Sequence, residues 1–371
     1  MTKKTTRAAL LLAAAVALAL LLVEGLLRIV HVPAIEIHRR AAARAESTAF
    51  FEYDAGLGWR GRPNTQGLLS GWEFTNAARL NARGFRDAEA DVVKRPGVFR
   101  IVLLGDSITW GHGVGQTERY GDLLAEELRR RGLAVEVVNL AVSGYGTDQE
   151  LLLWEQEGRR YCADLVLLGL YENDVRENAL ASQGRHPKPY FRLSAGGALV
   201  LENVPVPRVP DLPAAPVRSG LRTWLQRHSR VWAALAFVRE ALRRPDPAST
   251  APPEAPAGGV ELTAALVGRL AATVRRDGSA FAVIVLPDVH DSAATREAAG
   301  RSGVSATLDL APSFRRAAAS GRPLFYRLDG AHWTAAAHAV AGEAIAQWMQ
   351  ATALLPPSAR ACAQLPANRT R

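Results

Sequence analysis

Cysteine is scarce in this chain: Cys162 and Cys362 are the two among 371 residues. Neither has the spacing of a metal-binding motif and no other segment indicates a metal site, so we expect neither metal nor cofactor. Cys162 precedes a predicted strand and Cys362 follows the last predicted helix, which places both at one end of the fold. An oxidising compartment would permit a disulfide between them; two unpaired thiols are the alternative.

The chain also lacks an internal repeat and a concentrated basic patch. Its formal net charge is +9, and a basic excess can indicate a nucleic-acid partner. Here the positive residues are scattered, as in Arg129–Arg131 and Arg315-Arg316, without interleaved aromatic residues. Those short runs lie near predicted helix ends, where the helix dipole stabilises cations. We therefore expect a solvated surface and no nucleic-acid partner.

One long hydrophobic run stands near the N-terminus. Residues 8–30 are almost all Ala, Leu, Val and Ile, interrupted only by Glu24, Gly25 and Arg28. About twenty apolar residues span a bilayer, and the basic residues within 1–7 predict a cytoplasmic tail, a single-pass anchor over 8–30 and export of the rest. A cleaved signal peptide is the alternative, since Ala17-Leu18-Ala19 has the form of a cleavage site, although it lies inside the run.

Ser107 follows a predicted buried strand. The apolar residues 101–104 are followed by Gly105-Asp106-Ser107. Ligands of open α/β sheets bind at the carboxyl ends of the strands, so this serine stands where chemistry is expected. A hydroxyl at such a junction is either a helix cap or a nucleophile.

An aspartate and a histidine three residues apart, Asp329 and His332, precede the helix-forming run 335–350. Serine hydrolysis needs a base for the hydroxyl proton and a carboxylate that orients the imidazole. An Asp in a turn beside a solvated His is the alternative for this pair alone. Together with Gly-Asp-Ser on an earlier strand, the pair favours a hydrolase.

Two further strand ends offer donors for an oxyanion. Gly144 follows the predicted strand 135–140, and a glycine lets a backbone N–H approach a ligand closely. Asn173 follows the predicted strand 164–170 and carries a side-chain amide. A turn glycine and a loop asparagine are the alternatives for each residue alone.

These segments resemble the SGNH/GDSL hydrolase superfamily, from Gly105-Asp106-Ser107 through Gly144 and Asn173-Asp174 to Asp329–His332. Asn81–Arg86 is similar to the lead-in of membrane-anchored bacterial members. The resemblance implies Ser107 as nucleophile, His332 as base and Asp329 as its orienting group. It implies an oxyanion hole from the Ser107 and Gly144 N–H groups and the Asn173 amide, with Asp106 and Asp174 as supporting residues. Tyr171 departs from the pattern, since the family usually has glycine there.

Alternating short apolar strands and helical stretches predict an α/β protein, and the resemblance implies a flavodoxin-like three-layer α/β/α sandwich with a parallel sheet. Further strands are predicted at 281–286 and between 304 and 308, and helices at 118–131, 148–160, 261–276 and 335–352. We expect a lead-in over 31–74, a hydrolase domain over 75–355 with an insertion at 176–259, and a tail over 356–371. The insertion carries a predicted helix, Ser219–Arg243, which is either a lid or membrane-facing helix, or a helix packed on the sheet.

The predicted function is that of an exported serine esterase in the bacterial inner membrane, with its catalytic domain periplasmic or extracellular. It would hydrolyse an O-acetyl or short acyl ester on a small molecule, lipid or glycan through an acyl-enzyme. An O-acyltransferase acting on a cell-surface polysaccharide is one alternative. Acetyltransferase relatives in alginate modification place the Asp-His pair before the serine, so the order here favours the hydrolase. A non-catalytic envelope scaffold is the other alternative.

Overall fold

The fold places one central sheet between two helical layers. The computed structural model describes residues 3–30, 32, 35–36, 50–209, 224–225, 228–243, 256–330, 332–352 and 354–355. The predicted tail 356–371, which includes Cys362, lies outside these residues. The pairing of Cys362 with Cys162 therefore stays a prediction.

The central sheet has five parallel strands. In chain order they are β5 (Phe99–Leu104), β6 (Val135–Asn139), β7 (Leu165–Leu170), β12 (Ala280–Val285) and β13 (Thr307–Asp309). Four of them are continuous apolar runs with few exceptions, as expected for strands that are covered on both faces. The short β13 lies at one edge, where it pairs with β12 alone.

The spatial order of the strands is β13-β12-β7-β5-β6. Numbered along the sheet's own chain order, this is the flavodoxin-like order 2-1-3-4-5, whose switch point lies between the first and third strands. Here those strands are β5 and β7. The fold therefore predicts ligand binding at their carboxyl ends, where Ser107 and Asn173 follow.

Helices cover both faces of the sheet. Their bounds in chain order are α2 Ser107–Trp110, α3 Tyr120–Arg130, α4 Thr147–Gln156, α5 Glu172–Glu177, α7 Gly259–Arg276, α8 Ala293–Arg301, α9 Ala311–Ala319 and α10 Ala335–Ala351. Short 3₁₀ turns cover Gln116–Glu118 and Gly158–Tyr161. α4 and α7 pack on one face, and α3, α9 and α10 pack on the other. The predicted three-layer α/β/α sandwich is confirmed.

Side-chain alternation along each strand divides the core in two. On β5, Val102 and Leu104 point to the layer of α4 and α7. Ile101 and Leu103 point to the layer of α3 and α10. All four side chains are fully buried, so β5 is held from both sides and its carboxyl end is a rigid platform for the residues that follow.

The lead-in contains strands that the sequence patterns did not indicate. Two antiparallel pairs form there: β1 (Phe51–Asp54) with β2 (Gly58–Gly61), and β3 (Gln66–Ser70) with β4 (Thr75–Arg79). The β3–β4 pair crosses residue 75, where we placed the start of the hydrolase domain. That boundary stays a prediction.

The insertion also forms structure of its own. It contributes two short hairpins, β8 (Ser182–Gln183) with β9 (His186–Pro187) and β10 (Tyr190–Leu193) with β11 (Leu199–Glu202). It also contributes the helix α6 (Arg230–Arg243). α6 lies against the N-terminal helix α1 (Lys3–Ile29). Packing on the sheet was one of the two alternatives for this helix, and the first residues of its predicted range, 219–223, lie outside the described residues.

The stretch Thr5–Ile29 of α1 is long and apolar enough to cross a membrane, and no residue of its most apolar part is buried against the rest of the protein. Signal sequences near an N-terminus share this length and composition. The predicted apolar helix is therefore present.

Candidate active site

Ser107 is the first residue of α2, immediately beyond the carboxyl end of β5. Asp106 caps this short helix, because its carboxylate accepts a hydrogen bond from the Ile108 N–H at 2.9 Å. Gly105 has φ +157°, and a Cβ there would lie 2.1 Å from the Thr109 hydroxyl oxygen. The tight turn that presents Ser107 therefore requires glycine at this position.

The lead-in motif holds the other end of α2. Arg86 is buried, and its guanidinium donates to the carbonyls of Trp110, Gly111 and Val114, the last at 2.7 Å. Helix carbonyls at a C-terminus lack partners within the helix, so a cation there satisfies them. The Asn81–Arg86 segment thus supports the helix that carries Ser107.

His332 and Asp329 lie on a loop that the residues around it hold from several sides. The Glu73 carboxylate accepts hydrogen bonds from the Leu328 N–H at 2.6 Å and the Asp329 N–H at 3.3 Å. The backbone of Tyr326 pairs with that of His332, and its phenol donates to the Gly113 carbonyl at 2.8 Å. These contacts fix the loop relative to the end of α2, since Gly113 lies shortly after that helix.

The three predicted triad residues meet at this edge of the sheet. His332 Nε2 lies 3.0 Å from Ser107 Oγ, and His332 Nδ1 lies 2.5 Å from Asp329 Oδ1. With its proton on Nδ1, the imidazole donates to the carboxylate and leaves Nε2 free to accept the serine proton. Each side chain is partly exposed, so a substrate can approach the hydroxyl.

Asp329 is suited to its position as a charged partner. Burial raises the pKa of its carboxyl, but the hydrogen bond from His332 and the charge of that imidazole outweigh burial and lower the pKa to about 2. Asp329 is therefore ionised throughout the neutral range. A carboxylate in this state can stabilise the imidazolium that forms when His332 takes a proton.

His112 was not singled out from the sequence, and it contacts the candidate base. Its ring centroid lies 4.3 Å from that of His332, and its backbone N–H donates to the Ser107 carbonyl at 2.9 Å. Burial, followed by the neighbouring His332, lowers the pKa of His112 to about 3. At neutral pH the His112 ring is therefore uncharged where it packs against His332. No local pattern indicated it, because His112 lies beyond the end of α2 and meets His332 only in the folded protein.

The same neighbourhood holds a group of side chains with metal-binding chemistry. One ligand atom from each of His112, Asp329 and His332 lies within 4.8 Å of the others. Imidazole and carboxylate suit a transition metal. A metal held by His332 would compete with Ser107 for the imidazole, so occupancy would oppose serine catalysis rather than assist it.

Gly144 and Asn173 follow strands on either side of β5, and their loops are connected. Gly144 has φ +82°, which favours glycine, in the loop after β6. The Asn173 amide donates to the Tyr145 carbonyl at 3.3 Å, which joins the loop after β7 to the loop of Gly144. Among the described residues Tyr145 is the one acceptor for this amide, so its second N–H hydrogen can donate to a ligand.

Asp174 strengthens the same connection. Its carboxylate accepts hydrogen bonds from the Tyr171 N–H at 2.8 Å and from the Thr147 N–H and hydroxyl at 2.7 and 2.8 Å. Burial raises the pKa of Asp174 to about 7 despite these donors. These hydrogen bonds join the start of α5, where Asn173 lies, to the start of α4.

The aromatic residues beside the site belong to the core. Trp110, Tyr171 and Trp333 flank the candidate catalytic residues in sequence. The structure buries all three. The Trp333 indole also donates to the Pro287 carbonyl at 3.0 Å. These rings therefore pack in the core beside the site and do not form an exposed wall.

A buried glutamate, Glu150 on α4, lies near enough to Asp106 and Asp174 for their charges to affect it. Among the described residues, both carboxylate oxygens of Glu150 lack a hydrogen-bond partner. Burial, followed by the charges of Asp174 and Asp106, raises the pKa of Glu150 well above its ordinary value. The folded protein therefore favours the protonated form of Glu150.

We expect Glu150→Gln to change the pH dependence of stability. Because the folded-state pKa is raised, the wild-type contribution is fully present below about pH 4.5 and is lost as pH rises through the folded pKa. The free energy of unfolding of the variant should gain on that of the wild type between pH 4.5 and pH 8, because the wild-type carboxyl must either stay protonated or ionise while buried. Urea unfolding at both pH values measures this gain. Glu343→Gln makes the same substitution at an exposed position and serves as the control. A gain that does not grow with pH would contradict a protonated Glu150.

Comparison with protein families identifies the chain. The model of the GDSL-like lipase/acylhydrolase family matches residues 103–340. The chain belongs to this family. The match begins within β5 and ends within α10, so it includes the Ser107 turn and the Asp329–His332 loop. As a GDSL hydrolase, the protein is an ester hydrolase of the SGNH type.

Solved structures similar to this GDSL hydrolase include three from named bacteria. An esterase from Pseudoalteromonas sp. is 12% identical (TM-score 0.39), and 68% of this chain and 97% of that chain are covered. A lipase/acylhydrolase from Enterococcus faecalis is 14% identical with a TM-score of 0.37, and the match covers 68% of this chain and 96% of that chain. A variant acetyl xylan esterase from Geobacillus stearothermophilus is 13% identical with a TM-score of 0.39, and the match covers 70% of this chain and 97% of that chain. No curated protein matches the chain.

Proposed function

We propose that this GDSL hydrolase is an exported, membrane-anchored serine esterase that removes acetyl or short acyl groups through an acyl-enzyme on Ser107. The observation that carries the proposal is the hydrogen-bonded series Ser107–His332–Asp329, with 3.0 Å and 2.5 Å between successive partners. These separations are within reach for proton transfer. A scaffold that only binds has no need of this series.

In the acylation step, Ser107 Oγ attacks the ester carbonyl carbon as its proton passes to His332 Nε2. The carbonyl electron pair moves to oxygen and forms an oxyanion, while Asp329 stabilises the imidazolium. When the tetrahedral intermediate collapses, the bond to the leaving oxygen breaks and His332 returns its proton to that oxygen. The alcohol departs and the acyl group stays on Ser107.

In the deacylation step, water replaces the alcohol. His332 takes a proton from water as its oxygen attacks the acyl carbon, and a second oxyanion forms. Collapse breaks the bond to Ser107 Oγ, which recovers a proton from His332, and the carboxylic acid leaves. The Ser107 and Gly144 N–H groups and the Asn173 amide are the proposed donors to both oxyanions.

We expect Asn173→Ala to lower kcat by roughly 10²–10³-fold with a small effect on KM, because a donor to a developing oxyanion contributes mainly in the transition state. Steady-state hydrolysis of p-nitrophenyl acetate measures both constants. The lost hydrogen bond to Tyr145 should cost about 1 kcal/mol of stability, so thermal unfolding must show a folded variant. A folded variant with unchanged kcat would exclude Asn173 from the oxyanion hole.

The buried aromatic residues favour a short acyl group. Trp110, Tyr171 and Trp333 flank the site in sequence, and their burial leaves none of them as an exposed apolar wall for a long chain. Tyr171 also occupies the position where the family usually has glycine, and its side chain is buried in the core. The lack of an exposed aromatic wall favours acetyl or another small acyl group.

A chain-length series tests the proposed specificity. The full-length protein in detergent should hydrolyse p-nitrophenyl acetate with a higher kcat/KM than the butyrate, and the octanoate should be the poorest substrate. The reverse order would indicate a lipase. A folded protein that reacts with a fluorophosphonate yet hydrolyses no ester would instead be a transferase that lacks its acceptor. Absence of both reactions would indicate a scaffold.

Export is proposed from the helix α1 and the basic residues that precede its apolar stretch. Together they favour a single-pass protein in the bacterial inner membrane, with the hydrolase domain in the periplasm. Protease added to spheroplasts should then digest the hydrolase domain, and alkaline extraction should leave α1 in the membrane fraction. Protection from protease would contradict export, and a mature chain that lacks residues 1–30 would indicate a cleaved signal peptide.

A further inference from the structure

A carboxylate from α1 caps the N-terminus of the insertion helix α6. Glu24 accepts hydrogen bonds from the Ser229 hydroxyl at 3.0 Å, the Arg230 N–H at 3.1 Å and the Val231 N–H at 3.0 Å. The first N–H groups of a helix have no partner within the helix, and a carboxylate satisfies them and opposes the positive end of the helix dipole. The cap comes from a residue more than 200 positions earlier in the chain.

This contact explains the acid in the apolar run. A carboxylate in or near hydrocarbon is costly unless it is paired. Glu24 accepts the three hydrogen bonds from the start of α6 and a fourth from the Arg28 guanidinium at 3.0 Å. Arg28 also donates to the His228 carbonyl at 3.2 Å. The two helices are thus joined by a polar cluster, and α6 begins where the apolar run of α1 approaches its outer end.

The depth of Glu24 places α6 at the bilayer surface. At about 1.5 Å per helical residue, Glu24 lies about 24 Å beyond Ala8, the start of the apolar run. The hydrocarbon core of a bilayer is about 30 Å thick. If α1 crosses the membrane with its basic tail inside, α6 starts close to the outer boundary of the hydrocarbon.

One face of α6 is apolar and exposed. Leu235, Val238 and Leu242 are 61%, 51% and 83% exposed, and their spacing puts them on one stripe of the helix. Arg239 and Arg243 are also exposed on α6. An amphipathic helix with basic residues beside an apolar stripe is typical of helices that lie in the membrane interface and contact anionic lipid.

The far end of α6 approaches the loop of the candidate triad. The Arg327 guanidinium lies 3.5 Å from the Ala241 carbonyl, within the last turn of α6. Arg327 precedes Asp329 by two residues. A surface that holds α6 would therefore also lie beside the loop that carries Asp329 and His332.

We propose that α6 lies on the outer surface of an anionic phospholipid bilayer, where Glu24 fixes its start and its apolar stripe enters the headgroup region. This second membrane contact holds the active site at the bilayer surface, so that esters presented there are the accessible substrates. The proposal rests on membrane anchoring by α1. The contact of α6 with the unburied apolar helix α1, and the exposed Arg239 and Arg243 beside the apolar stripe, favour anionic lipid over a soluble protein partner.

Site-specific quenching by lipid tests this arrangement and separates it from the anchor. The full chain is reconstituted in nanodiscs of phosphatidylcholine and phosphatidylglycerol that contain a spin-labelled lipid. A fluorophore is attached through Leu235→Cys or Leu242→Cys on α6, Leu20→Cys on α1, or Val93→Cys. Val93 is an exposed apolar residue near the opposite, amino-terminal edge of the sheet. The unsubstituted chain gives the labelling background, and hydrolysis of p-nitrophenyl acetate verifies folding.

We expect strong quenching at Leu20, Leu235 and Leu242 and none at Val93. Quenching at Leu20 without quenching at the two α6 positions would overturn the proposal while the anchor stands. No quenching at Leu20 would overturn the anchor and the proposal together. Glu24→Leu should reduce quenching at Leu235 and leave that at Leu20 unchanged, because the cap is lost but the apolar run is kept. Unreduced quenching at Leu235 would exclude Glu24 as the group that fixes α6.

Discussion

Ser107→Ala is expected to lower kcat for ester hydrolysis by roughly 10⁴-fold or more, because removal of a triad nucleophile eliminates the acyl-enzyme route. The variant keeps the backbone N–H groups at the turn, so substrate binding should change little. Stopped-flow and steady-state hydrolysis of p-nitrophenyl acetate measure the loss and the disappearance of the acylation burst.

The matched control is Ser320→Ala, which removes an exposed hydroxyl at the end of α9. It should leave kcat and KM at wild-type values. Thermal unfolding of both variants must show folded proteins. If folded Ser107→Ala kept more than about 1% of wild-type kcat, a triad mechanism through this serine would be untenable.

Asp329→Asn is expected to lower kcat by roughly 10³–10⁴-fold. The Asn side chain has nearly the same shape, but its neutral amide no longer stabilises the imidazolium, and it can present an N–H to His332 Nδ1. That contact favours the tautomer with its proton on Nε2, which cannot accept the proton of Ser107. Steady-state kinetics across the pH range measures the change.

The kinetic constants and the thermal stability of Asp329→Asn together separate an effect on the chemical step from an effect on the structure of the loop. KM should stay close to wild type, because the backbone contacts of the loop to Glu73 do not use the Asp329 side chain. Thermal stability should fall at neutral pH, because the ionised carboxylate accepts hydrogen bonds from the His332 backbone N–H and from its Nδ1, and these lower its pKa in the folded protein. The exposed control Asp91→Asn should be neutral. Wild-type kcat in a folded Asp329→Asn variant would show that the carboxylate does not orient the base.

Strand-end positions could be predicted from the sequence because they depend on local patterns. Apolar runs followed by Gly-Asp-Ser or by an Asn mark where buried strands stop, and parallel strands bring their carboxyl ends to one edge. The spacing of Asp329 and His332 likewise limits them to one loop. Their 3.0 Å and 2.5 Å contacts with Ser107 and each other follow from the fold rather than from any local signal.

Other features depend on contacts between distant segments. The hairpins β1–β4 and β8–β11 have strands of two to five residues, too short for a reliable periodicity. His112 gains its significance only when the Asp329 loop folds against α2. Helical spacing predicted α6, but not its partner, because the cap by Glu24 joins residues far apart in the chain.

Covalent labelling with a fluorophosphonate tests the central claim, that His332 activates Ser107 as a nucleophile. The full-length protein is treated at neutral pH, digested and mapped by mass spectrometry, with His332→Ala as the comparison. We expect one adduct, on Ser107 in the peptide that contains Gly105-Asp106-Ser107, and a strongly slowed reaction in the variant. A protein that hydrolyses p-nitrophenyl acetate but carries its adduct on another residue, or labels equally fast without His332, would contradict the account.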